Sequence, residues 1–100
     1  MQFIYILNLN KQYHDLANWT EATNQTMEAH FNYLKTLFEQ GTMKHVGRTD
    51  MPFGDEDLKG FVIFESESEA SAQTIMKNDP AVRDGLMSAK LLPYKIAFSK

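Results

Sequence analysis

Residues 3 to 9, FIYILNL, mix aromatic and β-branched residues with no helical period, and Asn10 with Lys11 marks the exit; this pattern predicts a first strand. Phe3, Tyr5, Leu7 and Leu9 fall on one of its faces, Ile4 and Ile6 on the other, so both faces call for cover. The polar stretch from Lys11 to Thr20 reads as a loop. Asn18 or Thr20 then serves as N-cap for a helix that runs to Gly41. The segment from Met27 to Gly41, MEAHFNYLKTLFEQG, is the clearest amphipathic stretch. At 100° per residue its Met27, Leu34, Leu37 and Phe38 fall within an arc of roughly 100°, with Phe31 at the edge. His30 lies inside that arc. Beyond it, TMKHVGR predicts a short strand, a turn-rich loop carries Pro52 and Gly54, and Phe61 to Phe64, FVIF, is the densest strand signal of the second half. Ser66 followed by Glu69 fits a capping box that opens a second helix through about Asn78. Asp79 as N-cap and Pro80 at the first helical position begin one further turn, which Gly85 ends. Residues 86 to 98 read as a long strand interrupted by Pro93, which places that strand at an edge, a bulge or a bend.

This order is β-α-β-β-α-β, the ferredoxin-like arrangement: an α+β domain with a four-stranded antiparallel sheet and two helices on one face. The 100 residues make one such domain, spanning 1–100. The sheet's other face is bare. Because the first strand and FVIF are apolar on both sides, the expected cover for that face is the same face of a second copy, giving a homodimer.

Composition narrows the partners. With 10 basic residues against 13 acidic ones, a net charge of −3 opposes nucleic acid as a partner, because phosphate backbones are held by clustered Lys and Arg. No stretch approaches the 18 or more unbroken apolar residues of a membrane span. The N-terminus, MQFIYILNLNKQ, has neither a basic leader nor a small-residue cleavage site, so the expected location is the cytoplasm. Absence of cysteine removes disulfides, thiolate metal sites and a cysteine nucleophile. His14, His30 and His45 share no metal-ligand spacing, and neither a metal nor a cofactor is expected. His14 and His45 read as surface residues. A small molecule is the expected ligand.

Where a helix meets its core, His30 is either a packed imidazole with one hydrogen bond or the working group of a pocket. Asp79 is fully explained as an N-cap before proline, although a cap occupies only one carboxylate oxygen. Tyr5 and Trp19 are candidates for lining an apolar cavity, against the plainer reading as core. Arg48 is a candidate for holding a substrate anion at the cavity mouth, against that of a solvated side chain.

The run HFNYLKTL from His30 to Leu37 with Gly41 and Gly47 downstream, Phe64-Glu65-Ser66 opening the second helix, Asp79-Pro80 with Val82 and Gly85, and a proline in the last strand together resemble the YCII-related, or YciI-like, proteins. These are small dimeric α+β barrels within the ferredoxin-like class. The resemblance covers nearly the whole chain through the order and spacing of short motifs. It implies that His30 and Asp79 correspond to the family's histidine and aspartate and meet in a pocket. Most members have no established reaction, and a dehydrochlorinase acting on a chlorinated aromatic is one assigned activity. Many members carry Gly-Pro after the second strand, where this chain has Gly47-Arg48, so the rim of the pocket differs. A second resemblance, to the RNA recognition motif, rests on Ile4 to Leu9 and on Lys59 to Phe64, KGFVIF. That octamer lacks its usual Gly/Ala-aromatic pair between Phe61 and Val62, which removes a stacking platform.

If His30 and Asp79 meet, the carboxylate orients the imidazole and fixes its tautomer, giving an acid or base for proton transfer. No nucleophile motif, glycine-rich phosphate loop or metal set accompanies them. The expectation is a lyase or isomerase acting on a small cyclic or aromatic compound. A non-catalytic dimeric module that binds a ligand or partner in the same cavity, and an RNA-binding domain, are the alternatives.

Overall fold

The computed structural model describes residues 1–100. Its elements run β1 (Gln2–Leu9), α1 (Glu21–Glu39), β2 (Met43–Arg48), β3 (Lys59–Glu65), α2 (Glu69–Lys77), α3 (Pro80–Arg83) and β4 (Met87–Pro93). The strands form one antiparallel sheet in the order β2-β3-β1-β4. The ferredoxin-like architecture expected from the sequence is the one the chain adopts.

Being a central strand, β1 is apolar on both sides. Tyr5 stands between Val62 of β3 and Leu91 of β4, and Phe3 between Phe64 and Pro93. On the helical side Phe3, Tyr5, Leu7, Val62 and Phe64 join Leu34, Met43, Ala72 and Met76 in the core. The other face carries Ile6, Phe61 and Ile63, all half-buried, and Ile4, which is only 8% exposed. Tyr94 shares a shallow groove with Ile4, Phe61 and Ile63. Just after β4, Tyr94 N–H donates to the Gln2 carbonyl at 3.0 Å, one step beyond the Phe3–Pro93 pair.

Local signals set the element ends. Thr20 caps α1 with a reciprocal capping box through Thr23, and Gly41 ends it at φ 84°, a conformation glycine adopts without penalty. The buried stripe of α1 is Thr23, His30 and Leu34, flanked by Tyr33 and Leu37. Phe31 and Phe38, assigned to the apolar arc by periodicity, are 65% and 53% exposed, because the helix is turned toward α3 on its His30 side. The cap of α2 is Ser68, whose Oγ accepts from Ser71 N–H at 3.0 Å, and not Ser66. The stretch from Lys11 to Thr20 contains two 3-10 turns, Lys11–His14 and Leu16–Asn18. His14 is part-buried there, with Nε2 bonded to the Leu9 carbonyl at 2.9 Å, and is not a free surface residue. The last strand stops at Pro93 instead of running on to 98. A register shift between Met43 and His45 puts a bulge in β2.

Candidate functional site

Three elements bring the chemistry to one point. α1 carries His30, one turn before core Leu34, so its ring is directed inward. At the start of α3, Asp79 has extended backbone angles (φ −60°, ψ 122°), which aim its carboxylate back over the first turn. Asp79 Oδ1 accepts from Ala81 N–H at 3.0 Å and from His30 Nδ1–H at 2.6 Å. A cap and a pair are thus built on one carboxylate. Asp79 is 0% exposed and His30 8%.

His30 Nδ1 is held by the carboxylate, while Nε2 makes no hydrogen bond within the protein and is not sealed from solvent. His30 lines a cleft of about 760 Å³. Most of its wall is apolar, including Trp19, Met27, Phe31, Val46, Phe53 and Leu58, with Arg48, Asp50 and Lys59 as the charged residues. Such a mixture suits an apolar ligand oriented by a few polar groups. Arg48, at the end of β2 opposite Gly60, forms no salt bridge and leaves its donors available to the cleft. Trp19 donates from Nε1 to the Tyr13 carbonyl at 2.8 Å and meets Phe53 edge-on at 5.4 Å. That contact joins the segment before α1 to the loop between β2 and β3. Gly54 permits the approach: a Cβ there would lie 3.1 Å from the His14 carbonyl oxygen.

Tyr5 stands elsewhere than along the cleft wall. It is 0% exposed, and its hydroxyl donates to Asp79 Oδ2 at 2.9 Å. Neither a ligand in the cleft nor a nucleobase on the open face reaches its ring. Burial and the neighbouring carboxylate push its phenol far above the ordinary tyrosine range. Tyr33 donates to the Ile75 carbonyl at 2.7 Å, and burial, aided by the charge of Asp79, pushes its phenol up to about 12. The sequence brings out His30, Asp79, Arg48 and Trp19. It does not bring out Phe53 or Asp50, whose one signal is a turn-rich loop, nor the hydrogen bond from Tyr5 to Asp79. No three His, Cys, Asp or Glu side chains converge as a metal-binding group, and no helix is long and apolar enough to cross a membrane.

The chain is thus a small α+β protein, a four-stranded ferredoxin-like sheet with a histidine of α1 and an aspartate at the start of α3 paired beside an apolar cleft. Residues 1–94 match the family model described as the YCII-related domain, and the chain belongs to that family. No curated protein sequence matches it. Among solved structures it is similar to the 5-chloro-2-hydroxyhydroquinone dehydrochlorinase of Burkholderia phenoliruptrix in complex with 2,5-dihydroxybenzoquinone, with a TM-score of 0.69 and 20% identity over 95% of this chain and 94% of that one.

Proposed function

We propose that this protein is a small lyase or isomerase in which His30, held by Asp79, moves a proton on a cyclic or aromatic compound bound in the cleft. The observation that carries this reading is the 2.6 Å contact between His30 Nδ1 and Asp79 Oδ1, in a residue that lines the cleft and whose Nε2 is left unbonded. A neutral imidazole held in this way carries its proton on Nδ1 and offers the lone pair of Nε2 to an acidic C–H or O–H of the ligand. The buried carboxylate stabilises the imidazolium that results. Nε2 then returns the proton to another atom of the ligand, or the deprotonated ligand expels an anionic leaving group and the imidazolium gives its proton to that anion or to solvent. Arg48 steadies a phenolate or carboxylate of the ligand, and Trp19 with Phe53 covers its ring. The ring-bearing substrate and ligand named for the similar dehydrochlorinase support this class.

Trp19 is the sole tryptophan and lines the cleft, so its fluorescence reports binding. Titration with 2,5-dihydroxybenzoquinone and related hydroxyquinones, and turnover of chlorinated hydroxyhydroquinones, are expected for the wild type. For His30→Ala we expect binding within a few-fold and a rate loss of about 10²–10⁴, the range of a general base. Ligand binding without turnover by either protein would instead support the binding module.

The second copy belongs to the same reading. The open sheet face, with Ile4, Ile6, Phe61, Ile63 and Leu92 side by side, is an apolar surface of the kind dimers bury. Light scattering at micromolar concentration is expected to give twice the chain mass, and Phe61→Glu with Ile63→Lys to give monomers. A monomeric wild type would remove this part of the reading.

A further inference from the structure

We propose that Tyr5 is a positioning residue of the site: its hydroxyl, donating to Asp79 Oδ2, fixes the carboxylate's orientation and takes up part of its charge, which aims His30 and keeps its proton transferable. The inference rests on the reading of His30 as the proton-transferring group. The carboxylate receives three donors: His30 Nδ1–H at 2.6 Å and Ala81 N–H at 3.0 Å on Oδ1, and Tyr5 O–H at 2.9 Å on Oδ2. Tyr5 is the one protein donor to Oδ2. Tyr33, a half-buried hydroxyl in the neighbourhood, is committed to the Ile75 carbonyl.

The remainder of the Tyr5 side chain is accounted for by packing. Its ring meets Phe64 edge-on at 5.6 Å and 69°, on the central strand of the sheet, and a phenylalanine would fill the same place. Only the hydroxyl exceeds what the core requires, and it falls on the atom that would otherwise be a buried acceptor with no partner. The terminal torsion of an aspartate is broad and two-fold. A donor mounted on a strand locked on both sides therefore fixes the plane of the carboxylate against the imidazole. Because its phenol stays protonated, Tyr5 is a donor throughout the neutral range.

Donors to one carboxylate compete for its charge. With Tyr5 in place, the bond from Nδ1–H is tempered, and an imidazolium formed during turnover is not trapped by its partner. The titratable or charged groups around the pair are Tyr5 from β1, Tyr33 from α1 and Arg83 at the end of α3, whose guanidinium feels Asp79, with Arg48, Asp50 and Lys59 along the cleft. Tyr5 is the one of these bonded to the carboxylate's free oxygen.

The Nδ1–H proton of His30 is the direct readout, by NMR of the full-length protein, assigned by its loss in His30→Gln. In Tyr5→Phe the resonance is expected to move downfield, because the Nδ1–H bond strengthens when its competitor is gone. With 3-fluorotyrosine at position 5, nearly the same ring with a more acidic hydroxyl, it is expected to move upfield. Tyr33→Phe, which removes a nearby hydroxyl not bonded to Asp79, should leave it in place. An unmoved resonance in the fluorotyrosine protein would overturn the proposal even if Tyr5→Phe fails to fold. Opposite shifts in the two Tyr5 variants, with no ligand turned over by the wild type, would uphold the role of Tyr5 and reject the reaction.

Discussion

Asp79 carries more of this structure than any other single residue. It caps α3, accepts from His30 and Tyr5, and is shut off from solvent. Asp79→Ala removes a cap, at a cost of about 1 kcal/mol, and leaves buried donors unpaired, at about 1–3 kcal/mol. We expect a loss of at least about 2 kcal/mol in urea unfolding, and a midpoint temperature lower by roughly 8–16 °C for a domain of this size. A variant that melts with the wild type would mean that the three bonds contribute nothing net. The His30 and Asp79 positions were legible because an amphipathic helix with an inward histidine and an Asp-Pro helix start are local patterns. Tyr5 was not, since the alternation of β1 says that its ring is buried but not which group its hydroxyl meets 74 residues away.

At the scale of elements, the two serines before α2 separate what pattern and structure each decide. Ser66 and Ser68 both suit an N-cap by type, and Glu69 three residues after Ser66 favours the first. The structure favours the second, because the Ser66 N–H is engaged with the Met1 carbonyl at 2.9 Å at the end of the sheet, which holds that residue within the strand's exit. Ser68, with φ −155° and ψ 165°, has the extended backbone a cap requires. Ser68→Ala should therefore cost about 0.5–2 kcal/mol and Ser66→Ala only a few tenths, measured by chemical denaturation. The reverse order would return the cap to Ser66. The same limit applies to α1: periodicity finds the helix, but contact with α3 chooses which side of it is buried, so Phe38 lies outside. For β4, the strand finishes at Pro93 where the sequence allowed a bend within a longer one.

For the molecule as a whole, Tyr5 and Tyr33 couple the core to alkaline pH. Tyr33 in the folded chain is raised from 10.0 to about 12, and Tyr5 is raised further. A group whose folded value exceeds its unfolded one stabilises the protein in full below the unfolded value and loses that contribution as pH rises through the folded one. The window here opens near pH 10 and extends to about 12 for Tyr33. We expect tyrosinate absorbance from these two rings to appear together with the loss of near-ultraviolet circular dichroism in one cooperative step. Ionisation of both while the dichroism persists would contradict their burial.

The outer strands carry a further consequence. An unpaired edge invites another chain to continue the ladder, the first step of sheet growth into aggregates. Here β2 interrupts its edge with the bulge at Lys44, and β4 presents Lys90 and finishes on Pro93, which has no N–H to give. Lysine, proline and a bulge are the devices by which sheets refuse lateral recruits. Growth sideways is discouraged at both margins, so a neighbour that meets this sheet is steered to approach it broadside.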